Sequence, residues 1–169
     1  MRPTPFITYS MIRGFHDNTV SMEAGVRDLS RSPIEIPPQF WGVRYKGEHL
    51  PGARGVRGVE GGANCQQYAY SILRHFGFEV PDFRSSNLWD ETAHTAVSKD
   101  MKPLDLVLLN GEPRSFGAHV GLSLGQRLVL HLSRRIGFPT IETLEQMQSR
   151  DEYRFLIGFK TVLVRREQR

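Results

Sequence analysis

From residue 65 onward the chain carries one clear helical stripe. Cys65, Tyr68, Ala69, Ile72, Leu73 and Phe76 recur at i, i+3, i+4, i+7, i+8 and i+11, which places them on one face of a 3.6-residue helix. Asn64 is suited to cap its start. Gly77 is suited to end it in a left-handed conformation, with Pro81 beyond to block continuation. A shorter helix is predicted over 85–92, capped by Ser85 or Ser86 and carrying Leu88 and Trp89. Beyond Pro103 the pattern shortens to strand-like runs: DLVLLN (105–110), HVGLSL (119–124), RLVLHL (127–132) and a long final run over 154–164. Gly125 and Gln126 read as a tight hairpin turn between the second and third runs. The polar, helix-compatible stretch 140–149 reads as an insertion or one short turn. A helix-rich front followed by an antiparallel meander predicts an α+β fold, since strands and helices do not alternate as in βαβ units.

The first 38 residues hold five prolines and few apolar runs, so they read as an irregular arm with a short helix around 21–30, packed as a flap on the domain. The expected division is an arm over 1–38 and one folded domain over 39–169. The stretch PGARGVRGVEGG (51–62) is glycine-rich and aperiodic, a loop feeding the helix that starts at Cys65. With 169 residues, 39% of them hydrophobic and 24% charged, the chain has the composition of one globular domain and not of a disordered one.

A single cysteine precludes an intrachain disulfide. No apolar run matches a signal peptide or a membrane span, which gives the expectation of a cytoplasmic protein, or one exported by a route that needs no signal. The net charge of +4 comes from scattered residues, with Arg134-Arg135 and Arg165-Arg166 as the adjacent arginine pairs. No dedicated nucleic-acid partner is expected from that distribution. Dispersed histidines beside one cysteine lack zinc-site spacing, and 51–62 lacks the Gly-Lys-Ser/Thr ending of a phosphate loop. Neither metal nor cofactor is expected.

Cys65 is the candidate nucleophile. A thiol in the first turn of a helix meets unpaired backbone N–H groups and the positive end of the helix dipole, and both favour thiolate. It needs a proton acceptor, and histidine is suited to that at neutral pH. His75 lies nearly three turns along the same helix and about 80° off the cysteine face, too far to serve. His16, His49 and His94 fall in irregular or polar connections. His119 opens a strand after a glycine-containing loop, and His131 lies on the next strand. With Gly125-Gln126 as an ideal two-residue turn, His119 opposes Leu132, while His131 opposes Val120 and points to the other face. A bulge or a longer loop would realign them, so register alone leaves the contact open.

Five segments in order resemble the NlpC-type cysteine peptidases of the papain-like superfamily: WGVRY (41–45), NCQQYAY (64–70), KPLDLVLLN (102–110), AHVGLSLG (118–125) and LHLS (130–133). The resemblance runs from about Trp41 to Val164. It implies a papain-like domain with the nucleophile helix on an antiparallel sheet. It also implies a catalytic set of Cys65 as nucleophile, His119 as general base and then acid, and His131 as the group that orients the imidazole. Tyr45 matches a loop tyrosine whose hydroxyl, with the Cys65 N–H, stabilises the oxyanion.

The family has Asp-Cys-Ser-Gly where this chain has Asn64-Cys65-Gln66-Gln67. There the residues flanking the cysteine help hold the free amine of a cell-wall peptide, which makes Asn64 and Gln66 the corresponding substrate-binding candidates. It also weakens the case for an amine-bearing substrate. The implied activity is thiol-dependent amide hydrolysis of a peptidoglycan stem peptide next to γ-linked D-Glu. The alternatives are a deamidase or acyltransferase on another amide or thioester, and a catalytically idle binding module.

Overall fold

The structure, a computed structural model, describes residues 34–167; the helix expected around 21–30 lies outside them. Residues 34–38, assigned to the arm, already belong to the packed domain. Ile36 is buried in the same core as Phe40 and Val43, where a 3-10 turn at Pro38–Phe40 is the first helical element of the described residues.

Helix α1 spans Cys65–His75 and begins and ends as its sequence dictates. The Asn64 side chain accepts from the Gln67 N–H at 2.8 Å, satisfying one of the orphan donors of the first turn. At the other end Phe78 N donates to Leu73 O and Gly77 N to Arg74 O, with Gly77 at φ 85°. This is the paired closure that a glycine in the left-handed region permits. Tyr68, Ala69, Ile72 and Leu73 are buried. α2 is Ser85–Asp90, shorter than predicted, and its N-cap is Arg84 with no side-chain cap, in place of Ser85 or Ser86.

Six antiparallel strands form one sheet in the order β1-β6-β2-β3-β4-β5. Their spans are β1 Thr95–Ser98, β2 Leu106–Asn110, β3 His119–Gly125, β4 Leu128–Leu132, β5 Pro139–Thr143 and β6 Phe155–Val162. Two are corrections to the sequence reading. β1 lies in what reads as a polar connection, and β5 occupies the first half of the stretch read as an insertion, with helix α3 (Leu144–Gln148) in the second half. Both are edge strands with mixed burial, so neither shows a clean period of two. α3 is started by a capping box between Thr143 and Gln146.

The sheet separates two apolar clusters. Leu108, Val120, Leu122 and Leu130 face α1, whereas Val107, Leu109, Val129 and Phe159 pack with Leu144, Met147 and Tyr153 on the other side. The hairpin between β3 and β4 sets which residues join which side. The pair Gly125 and Leu128 is closed by Gln126 and Arg127, both at positive φ (50° and 63°), the conformation of a type I′ turn. The two-residue turn is therefore Gln126-Arg127, not Gly125-Gln126. Between Ser123↔Val129 and Gly125↔Leu128, Leu124 is an extra residue on β3, a β-bulge.

Candidate active site

The bulge shifts the β3–β4 register by one residue relative to the ideal turn, and a one-residue shift exchanges the faces of a strand. With Leu122 opposite Leu130, Gly121 comes opposite His131, and His119 lies two positions along the same face. The two rings meet: His119 Nε2 is 2.9 Å from His131 Nδ1. Gly121 makes the space for this. A Cβ there would stand 2.5 Å from Val129 Cγ1 and 3.4 Å from the His131 Cβ.

The next step repeats the diagonal. β4 pairs with β5 so that His131 opposes Thr140 and Val129 opposes Glu142, which puts Glu142 on the His131 face. His131 Nε2 is 2.7 Å from Glu142 Oε2. Arg150, at the turn after α3, then grips Glu142 with both terminal nitrogens, Nη1 to Oε1 and Nη2 to Oε2, each at 2.6 Å. Such a fork is the strongest form of the charge-assisted hydrogen bond. Four side chains from β3, β4, β5 and the turn after α3 thus form one polar line.

Its electrostatics set the protonation states. The hydrogen bonds from Arg150 hold the Glu142 carboxyl down at about 2, so it is an acceptor at neutral pH and His131 Nε2 carries the proton. Burial lowers His131 below its ordinary value against the opposing pull of Glu142, which leaves its ring neutral and Nδ1 bare. His119 Nε2–H must then donate to His131 Nδ1. Burial, and after it the neighbouring His131 imidazole, which could not be charged at the same time, and the Arg150 guanidinium, hold His119 well below its usual range. His119 is consequently neutral, with its own Nδ1 bare. Among the described residues that nitrogen has no hydrogen-bond partner. The Tyr153 ring lies against His119, centroids 4.6 Å apart and planes at 35°, and Arg150 lies over Tyr153. Burial pushes the Tyr153 hydroxyl up to about 12.

Cys65 reaches this assembly from the other side of the sheet. It opens α1, and both it and His119 line one cavity of about 830 Å³ at the end of β3, together with Tyr45, Asn110, Phe116 and Tyr153. Backbone N–H groups of Val120, Gln66 and Cys65 itself act on the sulfur. Val120 is the residue after His119, so thiol and imidazole sit at the same rim of the sheet. Burial nevertheless outweighs these donors and pushes the thiol up from its ordinary value. The groups at the helix start that favour thiolate are thus opposed by desolvation of the charge.

Tyr45 is brought to the cavity by backbone pairing with Ala63 across the loop 46–62. It bridges Ala63, with Lys46 N donating to Ala63 O at 2.8 Å and Ala63 N to Arg44 O at 3.0 Å. Asn64 and Gln66 do not line the cavity. The Asn64 side chain is the helix cap, and Gln66 Nε2 donates inward to the Tyr70 hydroxyl and the Phe83 carbonyl, at 3.3 and 3.2 Å. Their side chains are thereby committed to the fold. Of the remaining described histidines, His49 contacts Gly62 O, His75 packs on Phe40 and His94 pairs with Glu91.

Glu142, Arg150 and Tyr153 are the residues that sequence reasoning missed. They lie in or just after the stretch read as an insertion. The signal available was the alternation of PTIET, too short and too polar to stand out.

No protein-family profile matches the chain, and no curated protein matches it. Its fold is shared with solved structures. One is the peptidoglycan hydrolase RipB of Mycobacterium tuberculosis, with 21% identity and a TM-score of 0.50, covering 75% of this chain and 60% of that one. Another is the NlpC/p60 domain of the peptidoglycan hydrolase SagA, with 12% identity and a TM-score of 0.49, covering 74% and 91%. The architecture is therefore the α+β, papain-like one. Among the described residues no helix is long and apolar enough to cross a membrane.

Proposed function

We propose that this chain, built on the fold shared with RipB, is a thiol-dependent amide hydrolase whose substrate is a peptidoglycan stem peptide, cut next to γ-linked D-Glu. The observation that carries the reading is the line Arg150–Glu142–His131–His119, which ends in a bare imidazole nitrogen in the cavity that Cys65 lines. RipB and SagA are peptidoglycan hydrolases, and they supply the substrate class for testing.

The chemistry starts from two neutral groups. The thiol proton passes to His119 Nδ1 as Cys65 Sγ attacks the amide carbon, so the thiolate exists only as the new bond forms. The resulting imidazolium is stabilised through His131, whose Nδ1 accepts from His119 while Glu142 accepts from its Nε2–H. The developing oxyanion meets the Cys65 N–H, which has no helical partner at the first position of α1, and the Tyr45 hydroxyl. His119 then protonates the leaving amine. Water, giving its proton to the same nitrogen, opens the thioester to release the acid and restore the thiol. His131, Glu142 and Arg150 act as positioning residues: they hold the tautomer and ring plane of His119 and touch no substrate.

Incubation of the purified chain with muropeptides, read by mass spectrometry, tests the reading. One new amine and one new carboxylate at a stem-peptide bond are expected, and Cys65→Ser removes both. A Cys65 that alkylates readily, in a protein that leaves every stem peptide intact, would replace this reading with a deamidase or acyltransferase.

A further inference from the structure

We infer that Arg134 and Arg135 form a carboxylate-binding subsite, so that the peptide presented to Cys65 carries an anionic group beside the bond that is cut. The inference rests on the hydrolase reading and narrows its substrate class. Five charged residues line the cavity: Glu112, Arg114, Arg134, Arg135 and Glu152. Both carboxylates are already matched, Glu112 to Arg114 at 2.8 Å and Glu152 to Arg150 at 3.7 Å. Among the described residues, neither Arg134 nor Arg135 has an ion-pair, hydrogen-bond or ring partner. The cavity therefore offers two uncommitted guanidinium groups and no uncommitted carboxylate.

The backbone beneath these arginines is held in place. Ser133 Oγ accepts from Ile136 N at 3.1 Å, and Ser133 O accepts from Gly137 N at 2.8 Å. Gly137 O in turn accepts from Tyr45 N at 2.8 Å, which ties the arginine loop directly to the Tyr45 wall. The field of Arg134 is felt at the Tyr45 hydroxyl, and that of Arg84, outside the cavity, at the Cys65 sulfur. A substrate with a free ammonium group would meet the reverse of what it needs, since Asn64 and Gln66 are neutral and occupied within the fold. Guanidinium forks match carboxylates bidentately. The anion must travel on the peptide itself, because the bond to be cut is an amide.

The test compares alkylation of Cys65 by iodoacetate, which is anionic, with alkylation by the neutral iodoacetamide. The ratio of the two rates is read in the unaltered chain, in Arg134→Ala/Arg135→Ala, and in Lys99→Ala/Arg166→Ala, which removes the same charge from exposed positions off the cavity. Among the described residues the arginine side chains have no partners and are exposed, so their removal is expected to leave the fold intact. The expected result is an iodoacetate-to-iodoacetamide ratio about threefold lower in the arginine double variant at low salt. The difference shrinks as salt screens the charges, and the charge-matched control keeps the original ratio. An equal ratio in all three proteins, or an equal fall in both double variants, overturns the subsite and leaves the hydrolase reading standing. A thiol inert to both reagents overturns the two together. With peptide substrates, replacing the carboxylate by its amide is expected to raise KM in the unaltered chain and to lose that effect in the arginine double variant. An amide effect that persists in the double variant overturns the subsite.

Discussion

Two buried polar networks lie on opposite halves of the sheet, and they end differently. On the β1–β6–β2 side, fully buried Lys160 donates to the carbonyls of Trp89 and Glu91 at 2.9 and 2.7 Å, at the C-terminal end of α2. A cation there also suits the negative end of a helix. Nearby, the Thr161 hydroxyl donates to Asp105, and Glu91 accepts from the Thr95 hydroxyl and the His94 N–H. These bonds close on backbone and neighbouring side chains. On the β3–β4–β5 side the line from Arg150 through Glu142 and His131 leaves one nitrogen of His119 open to the cavity. Burial of polar groups is common to both; what distinguishes a reactive network is a terminus left free for a substrate. On the proposed hydrolase reading, the closed network carries stability and the open one carries chemistry.

The sharpest way to break that contrast is at the open end. His119→Ala is expected to lower kcat for stem-peptide hydrolysis by about 10²–10⁴-fold, a far larger effect than its cost in stability, as checked by steady-state kinetics and calorimetry. A large loss of stability with modest loss of activity would reassign His119 to the closed class. Lys160→Met should do the opposite. It leaves two buried carbonyls without a donor, for a loss of about 1–3 kcal/mol in denaturant unfolding, with kcat of the folded fraction retained.

Glu142→Gln tests the middle of the open line. Gln keeps the shape, but it loses the charge that Arg150 grips and that fixes the His131 tautomer. A kcat decrease of about 10–100-fold is expected, by analogy with outer-shell partners of ligating histidines, together with a shifted pH profile. A profile identical to that of the unaltered chain would show that Glu142 supports only packing.

The smallest expected effect is in stability against pH. The folded values of His119 and His131 lie below the ordinary 6.5, so the unfolded chain binds more protons as pH falls through that value. Their contribution is present above pH 6.5 and is lost progressively below it. Glu142, lowered from 4.5 to about 2, adds a second loss between those values. Unfolding free energy measured from pH 7 to 5 should decline in the unaltered chain and decline less in His119→Ala. Equal slopes would mean that His119 is not held neutral by its surroundings.

Much of the fold and part of the site could be read along the chain, because they rest on short-range physics. The stripe from Cys65 to Phe76, the Asn64 cap and the Gly77 stop each depend on residues within a few positions, and all three appear as read. So do the three central strands, whose buried runs announce themselves. His119 and His131 were candidates because each sits on such a strand.

Tertiary structure decided the rest. Whether the two rings meet depended on one extra residue at Leu124 and on positive φ at Gln126 and Arg127; a single-residue change of register reverses a strand's faces, and neither non-glycine residue advertises that conformation. Glu142, Arg150 and Tyr153 reach His131 and His119 only because β5 pairs with β4 and folds the next turn back over them. At Cys65, burial, a sum over many distant neighbours, pushes the thiol up against the backbone donors its position at the helix start provides.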